Sequence, residues 1–238
     1  MLGVNKKMEI AQQSLLLWGN SLADYVQMFD LSQQDLALPL LEIGFGPSSF
    51  NTELTAKGYQ VVSLHELFKL PIDEISALVE AGFNQLNENV SKEPNQLVWK
   101  NFSSSTEFIT SRQRAKTLFL NDLAQGLMAR RYQNATITRL PFPDHTFDKV
   151  LCANITFSTK NLLTIDEQIT AIIELCRVAH EVRIFPLLGE NNNTSPLIGP
   201  ILAKLHCAGY GVEIKQVNYE LQKGGNAMMR VWLDSCTV

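Results

Sequence analysis

The sequence lacks the cysteine spacing of a metal site or of a disulfide framework. Its four cysteines lie far apart, and no two of them have the short spacing of paired zinc ligands. Cys152 and Cys176 fall in apolar segments, which predicts buried free thiols in a reducing compartment. We therefore expect a cytoplasmic protein without a bound metal.

Long apolar runs are also absent. The longest, such as Ile198 to Leu205, are interrupted by glycine, proline or lysine and are far shorter than the roughly 20 residues of a membrane helix. Lys6 and Lys7 are not followed by the apolar stretch and cleavage site of a secretory signal. The net charge of −4 adds no general attraction to anionic surfaces. Neither a membrane nor nucleic acid is an expected partner.

An alternation of strands and helices begins after an N-terminal extension, residues 1–35, that itself has a helical pattern. The apolar run Leu38 to Ile43 predicts a strand, Ser49 to Lys57 a helix that ends at Gly58, and Gln60 to Leu64 a second strand. A strand, a helix and a strand in this order form one βαβ unit, which implies a parallel sheet.

A helical insertion, residues 68–131, follows the second strand and is far longer than a plain connection. One helix begins after Pro71 and another runs from about Thr106 to Met128. The polar stretch from Asn87 to Asn95 is the expected mobile loop between them. We interpret the insertion as a lid within one domain, residues 1–238.

The α/β alternation then resumes and ends in a hairpin. Short strands are expected at Ala135 to Thr138, Lys149 to Ala153 and Val182 to Phe185, and helices at Ile165 to Ala179 and Leu197 to Ala208. Val212 to Val217 and Met228 to Leu233 flank a glycine turn and predict an antiparallel pair.

The first candidate site is the segment Glu42-Ile-Gly44-Phe45-Gly46 at the end of the first strand. Glycine allows a tight turn in which a ligand approaches the backbone, and a helix N-terminus follows with free N–H groups. The third glycine of the dinucleotide fingerprint is missing, because Ser49 occupies its position. A plain strand–helix turn is the alternative interpretation of these residues alone.

A second segment, Leu140-Pro-Phe-Pro-Asp144 followed by Phe147-Asp148, makes the pattern more specific. The two segments in this order, with the terminal hairpin, resemble class I S-adenosylmethionine-dependent methyltransferases. Residues 44–51, 177–186 and 219–226 are similar to a bacterial branch of uncharacterised methyltransferase-like proteins. The resemblance covers roughly 38–233. It implies a Rossmann-like, mostly parallel seven-stranded sheet with an antiparallel last strand, and S-adenosylmethionine as cofactor.

The same resemblance implies a set of cofactor-binding positions, namely Glu42, Gly44, Phe45, Gly46, Ser49, His65, Glu66, Thr136 and Cys152. One of them departs from the family pattern. The second strand of these enzymes normally ends in an acid that binds the ribose hydroxyls, and His65 stands there with Glu66 next to it. A carboxylate accepts both hydroxyl protons, whereas a neutral imidazole has one acceptor. We expect Glu66 to bind the ribose; the alternative is that both are rim residues.

No catalytic residue is evident from the sequence. Asn154 is expected either to orient a methyl acceptor or to cap a turn, and Asp122 either to replace a missing third-strand acid or to be solvated. The insertion also carries several basic side chains, which predict a solvated helix face or, as the minority interpretation, a contact to an anionic substrate. They are Arg112, Arg114, Lys116, Arg130 and Arg131.

The leading function is thus an S-adenosylmethionine-dependent methyltransferase with an unidentified acceptor. A non-catalytic binding or scaffold protein of the same fold is the main alternative, because His65 replaces the ribose acid. A nicotinamide-dependent oxidoreductase is disfavoured by Ser49 and by the terminal hairpin.

Overall fold

The computed structural model describes residues 19–44, 47–92, 97–153, 164–189 and 193–234. The strands are β1 Leu40–Gly44, β2 Val61–Leu64, β3 Tyr132–Gln133, β4 Phe147–Ala153, β5 Ala179–Phe185, β6 Tyr210–Gln216 and β7 Ala227–Leu233. The α-helices are α1 Leu22–Met28, α2 Gln33–Leu36, α3 Phe50–Ala56, α4 Ile72–Lys92, α5 Ser105–Met128, α6 Ile165–Val178 and α7 Ile198–Cys207. A short 3₁₀ helix spans Glu66–Lys69.

The strands form one seven-stranded sheet in the order β3-β2-β1-β4-β5-β7-β6. Neighbouring strands from β3 to β5 are parallel, and β7 runs antiparallel to both β5 and β6. This is the Rossmann strand order with one antiparallel strand inserted before the last position. The fold class predicted from the sequence, a mostly parallel seven-stranded sheet with an antiparallel last strand, is confirmed.

Helices cover both faces of the sheet, and the alternation of side chains along β1 shows why. Leu40 packs with residues of α1 and α3 in one apolar cluster, whereas Leu41 and Ile43 pack with residues of α6 and α7 in another. Successive residues of a strand point to opposite faces, so a buried parallel strand needs apolar side chains on both. Glu42 and Gly44 are the exceptions in β1, and both belong to the candidate site.

Local signals in the sequence explain where the first helices begin and end. The Ser48 hydroxyl accepts a hydrogen bond from the backbone N–H of Phe50 at 2.9 Å, at the start of α3. Gly58 follows that helix with a φ of 82°, a conformation that glycine adopts without strain. Ser21 forms a reciprocal capping box with Asp24 at the start of α1. The predicted βαβ unit is therefore confirmed, and of the two serines expected as caps, Ser48 bonds to the helix backbone whereas the N-cap residue Ser49 makes no side-chain capping bond.

The insertion contains two long helices, α4 and α5, packed together through apolar side chains such as Ile75, Val79 and Leu123. The loop expected from Asn87 is wrong as far as Lys92, because α4 continues to that residue. Leu86 and Val90 lie on its buried face, and their burial favours helix despite the polar residues between them. The rest of the expected loop, residues 93–95, lies outside the described residues.

The third strand is displaced from its predicted position. It is formed by Tyr132–Gln133, whereas Ala135 to Thr138 form a turn in which Arg139 N donates to Thr136 O at 3.0 Å. The strand lies against α5 because Gly126 has no side chain. A Cβ on Gly126 would come within 2.2 Å of the Tyr132 ring. Among the described residues, no helix is long and apolar enough to cross a membrane.

Candidate functional site

The carboxyl ends of β1 and β4 lie side by side at the switch point of the sheet, where the connections that follow the two strands run to opposite faces. Gly44 of β1 pairs with Ala153 of β4, and the helices that follow these strands pack on opposite faces. In open α/β sheets, ligands bind in the crevice at such a switch point. The structure therefore places Glu42 to Gly44, the described part of the predicted segment, at the edge where a ligand is expected. Phe45 and Gly46 lie outside the described residues.

Glu42 is buried in this edge and is surrounded by hydroxyl groups. It stands opposite Ser63 of β2, whose Oγ donates a hydrogen bond to its carboxylate. Tyr25 and Ser48 form further side-chain hydrogen bonds with it. Burial raises the pKa of Glu42, and the hydrogen bonds from these three hydroxyls oppose that rise without cancelling it. The acid of the first motif thus joins β1, β2, α1 and the turn before α3.

Tyr25 connects the N-terminal extension to the glycine turn. Its ring stacks on Phe50 at a centroid distance of 4.3 Å, and burial raises its pKa well above the usual value for tyrosine. A Cβ on Gly44 would lie 3.1 Å from the Tyr25 hydroxyl oxygen and 3.6 Å from Ala153 Cβ. The sequence pattern did not identify Tyr25 as part of the site, although its place on the apolar face of a predicted helix predicts burial.

Ser49 lies at the start of α3 and is fully buried. Its hydroxyl donates to Glu53 Oε1 at 2.6 Å, and its backbone N–H donates to the Asn20 carbonyl at 3.0 Å. Glu53 in turn accepts from the Leu22 backbone N–H at 3.1 Å. These bonds hold the segment before α1 against the turn, so the two chain segments form one wall of the site.

The end of β2 differs in exposure from the end of β1. The Nδ1 atom of His65 accepts from the Leu67 backbone N–H at 3.0 Å and caps the 3₁₀ helix. Burial lowers the pKa of His65 to about 4, against an opposing effect of the Glu66 charge. The imidazole is therefore neutral near pH 7. The Glu66 side chain is 76% exposed and pairs with Lys69 at 3.3 Å.

The remaining predicted positions lie in different surroundings. Thr136 is exposed in the turn after β3. The Cys152 side chain is buried in the apolar cluster that includes Ile43 and Ile184. Asn154 lies outside the described residues. Glu42, Gly44 and Ser49 are thus brought together, and His65 and Glu66 follow the neighbouring strand. Cys152 lies on β4 and interacts electrostatically with Tyr25, whereas Thr136 lies in the exposed turn after β3.

A hydrogen-bonded chain runs from Glu42 to Asp122 of the insertion, and we call it the Glu42–Asp122 network. Asn51 Nδ2 donates to Ser63 Oγ at 2.8 Å, and Arg131 Nη1 donates to Asn51 Oδ1. Arg131 binds Asp122 with two hydrogen bonds of 2.6 and 2.8 Å. Burial raises the pKa of Asp122, but the hydrogen bonds from Arg131 and Tyr132 outweigh it and leave the pKa lowered. The expectation that Asp122 is a solvated helix residue is wrong.

The basic face predicted for the insertion is also wrong in part. Arg114 and Arg130 are exposed, but Arg112 and Lys116 are buried and Arg131 is largely buried. Arg112 donates to Asp24 and to the Tyr219 hydroxyl at 2.8 Å each, and its guanidinium lies over the Phe108 ring at 4.6 Å. These partners are 88 and 107 residues away in sequence, so local charge patterning could not reveal them.

Comparison with known proteins finds no matching family model. An uncharacterised protein of Methanocaldococcus jannaschii is 27% identical over 215 residues, which cover 90% of this chain and 94% of that protein. Among solved structures, a TehB-like SAM-dependent methyltransferase from Corynebacterium glutamicum matches 84% of this chain and 81% of its own, at 14% identity and a TM-score of 0.45. A SAM-dependent methyltransferase from Aquifex aeolicus matches 88% and 91%, at 15% identity and a TM-score of 0.39. The fold assignment rests on the strand order and on the antiparallel β7.

Proposed function

We propose that the protein binds S-adenosylmethionine at the carboxyl end of β1 and transfers its methyl group to an acceptor. One observation carries the proposal. The segment from Glu42 to Gly44 ends at the switch point of the sheet. Among the described strands, β7 is the only antiparallel strand inserted into that sheet. That combination agrees with the fold implied by the motif resemblance.

The residues around the edge fit such a cofactor in two respects. Glu66 is exposed and has one described partner, a surface lysine, so its carboxylate is available to accept hydrogen bonds from ribose hydroxyls. The neutral His65 adds no positive charge to the edge where a cationic cofactor would bind.

The cofactor, when bound, supplies an electrophilic methyl group on a sulfonium. The chain's own contribution is positional. Glu42, Ser63 and Tyr25 fix the end of β1 against β2 and α1, and Ser49 fixes the start of α3 against the segment before α1. Rigid positioning of reactants is a large part of catalysis in a displacement that needs no covalent enzyme intermediate.

Calorimetric titration with S-adenosylmethionine, S-adenosylhomocysteine and NAD tests this proposal. We expect saturable binding of the first two and no heat from NAD. Binding of NAD in their place would favour an oxidoreductase. Binding without methyl transfer to any acceptor tested would favour the non-catalytic alternative, to which the His65 substitution already points.

Glu66→Gln tests the assignment of the ribose acid. Loss of charge-assisted hydrogen bonds is expected to weaken S-adenosylmethionine binding by roughly 10- to 150-fold. Glu88→Gln is the matched control, because Glu88 also forms an exposed ion pair with a lysine at 3.3 Å, Lys92, on the insertion. His65→Ala should have little effect. Equal affinity of Glu66→Gln and Glu88→Gln would contradict the assignment.

We also propose that the insertion, residues 68–131, covers the bound cofactor and helps to select the acceptor. Active-site lids are commonly built from such added segments. Hydrogen exchange of residues 105–128 should slow when S-adenosylmethionine is added. Protection confined to the residues around Gly44 would instead make the insertion a structural element or a partner surface. A cytoplasmic location and a place in a bacterial branch stay predictions.

A further inference from the structure

The two outer strands of the sheet differ in length. β3 forms one edge with only the two residues Tyr132–Gln133, whereas β6 forms the other edge with the seven residues Tyr210–Gln216. Among the described strands, β6 pairs with β7 alone. A long edge strand presents a row of unpaired backbone groups to which another strand can add, and a very short one does not. The edge at β6 is therefore a candidate interaction surface.

β6 lacks two of the features that commonly prevent strand addition at an edge, proline and a bulge. Its sequence Tyr-Gly-Val-Glu-Ile-Lys-Gln contains no proline, and its register with β7 is continuous along the whole strand. No residue of β6 is buried, and Ile214 is 47% exposed. The charged residues Glu213 and Lys215 are the remaining protection. Whether they prevent or favour strand addition depends on the charges of the added strand.

The backbone of β6 directs alternate residues to the open edge. The Val217 N–H donates to Asn226 O at 2.8 Å at one end of the strand pair. The Gly209 carbonyl accepts from Asp234 N at 3.1 Å at the other end. Alternate residues of an antiparallel strand form their hydrogen bonds on opposite sides, so the odd-numbered residues of β6 face β7. The N–H and C=O groups of residues 210, 212, 214 and 216 therefore point to the open edge.

The charges of β6 complement those of a second copy of the same strand. If two copies run antiparallel about a two-fold axis at Ile214, Glu213 of each copy lies opposite Lys215 of the other. An axis at Glu213 or at Lys215 would instead place two like charges directly opposite, which destabilises a strand pair. With the axis at Ile214, each Glu213–Lys215 pair is of the non-hydrogen-bonded kind, in which opposite side chains are closest. The two exposed Ile214 side chains also meet.

Glu213 and Lys215 are partly available for such contacts. Glu213 accepts from Arg230 Nη1 and Lys215 donates to Asp30 Oδ2, each at 2.6 Å within the chain. Their side chains are nevertheless 47% and 43% exposed. Ion pairs with this exposure add little to the stability of a fold. Substitutions of the two residues should therefore change association without unfolding the chain.

We propose that two copies of the chain associate through β6, paired antiparallel about a two-fold axis at Ile214, so that their sheets form one continuous sheet. The outward backbone groups supply the hydrogen bonds, and Glu213 and Lys215 select the register. This surface is separate from the cofactor site and does not require that S-adenosylmethionine binds. One pair of strands buries less than the roughly 1,200–2,000 Å² of a stable interface, so the dimer is reversible.

Sedimentation equilibrium of the full chain at increasing concentration tests the association. We expect a monomer–dimer equilibrium without larger species, because a two-fold contact closes on itself. A chain that remains monomeric up to about 1 mM would overturn the proposal and leave the edge to a strand of another protein. Growth into open-ended oligomers would also overturn it, because only a head-to-tail contact produces them.

Charge reversal tests the strand and its register. Glu213→Lys and Lys215→Glu each place like charges opposite one another at both pairs, so each variant should dimerise at least about tenfold more weakly than the wild type. An equimolar mixture of the two variants should dimerise again, because every opposite pair then has unlike charges. Single variants that dimerise like the wild type would overturn the proposal, and so would a mixture that remains monomeric.

Glu88→Lys is the matched control for net charge. Glu88 also forms an exposed ion pair with a lysine, Lys92, on α4, and its reversal changes the net charge as Glu213→Lys does. We expect Glu88→Lys to dimerise like the wild type and all variants to melt close to the wild-type temperature. Equal weakening by Glu88→Lys and Glu213→Lys would overturn the proposal, because the loss would then follow net charge rather than position on β6.

Discussion

The two sides of the carboxyl edge bury polar groups in opposite ways. On the β2 and β3 side, the Glu42–Asp122 network gives each of its two carboxylates several hydrogen-bond donors from neighbouring elements. On the β5 side, Asn20 is equally buried and its amide oxygen has no described partner. Buried polar groups with complete partners stabilise a fold, whereas an unpaired one costs stability. The comparison therefore assigns a stabilising role to the network and a stability cost to the Asn20 amide oxygen.

The network itself contains two kinds of buried acid. Asp122 has a guanidinium partner, Arg131, and its pKa is lowered. Glu42 has hydroxyl donors, and its pKa is raised because burial outweighs them. Hydroxyl dipoles stabilise a carboxylate less than a bidentate guanidinium does. The two acids should therefore respond differently to mutation and to pH.

Asp122→Asn should have the largest effect on stability. It leaves the largely buried Arg131 without its charged partner, and breaking such a pair costs about 3 kcal/mol of unfolding free energy. Urea denaturation at pH 7 measures this loss. Glu88→Gln, in an exposed pair, should change stability by less than about 0.5 kcal/mol. A loss for Asp122→Asn as small as that of the control would remove the structural role of the network.

Glu42→Gln should have a smaller effect, about 1–2 kcal/mol near pH 4, because an amide presents one acceptor oxygen and two donor hydrogens to three hydroxyl groups. Urea denaturation of the variant and the wild type at matched pH measures it. A loss equal to that of Asp122→Asn would show that hydroxyl donors hold a buried acid as strongly as a guanidinium does.

The pH dependence of these two losses should have opposite signs. The folded pKa of Asp122 lies below its ordinary value of 3.8, so its contribution is present above pH 3.8 and is lost as the pH falls through the folded pKa. The folded pKa of Glu42 lies above 4.5, so its contribution is present below pH 4.5 and is lost as the pH rises through the folded pKa. The cost of Asp122→Asn should thus grow with pH, and that of Glu42→Gln should shrink. Parallel trends would contradict the assignment of the two acids.

Much of the fold was predictable because its signals are local. The βαβ unit followed from an apolar strand, a serine cap and Gly58, and the hairpin followed from two strands around a glycine turn. The third strand was misplaced because its position depends on Tyr132 packing against Gly126, a contact between separate elements. Periodicity within a segment does not report such contacts.

The site was less predictable than the fold. The motif identified Glu42 and Gly44, but the partners of Glu42 come from three other elements, as Tyr25, Ser48 and Ser63 show. The burial of Arg112 likewise depends on Asp24, which is 88 residues away in sequence, and Arg131 pairs with Asp122 across the turn that follows α5. A polar residue is predicted to be solvated when its partners lie in other elements, because only the tertiary structure brings them together.

The central claim is that S-adenosylmethionine binds at the carboxyl end of β1, where Gly44 packs against Tyr25 and Ala153, and a comparison of two glycine variants in one titration tests it most directly. Gly44→Val puts a branched side chain against Tyr25 and Ala153, whereas Gly199→Val, on α7, faces open space. We expect the wild type and Gly199→Val to bind S-adenosylmethionine alike, and a folded Gly44→Val to bind it at least about tenfold more weakly. Equal affinity of the two variants, or no binding by the wild type, would contradict the claim.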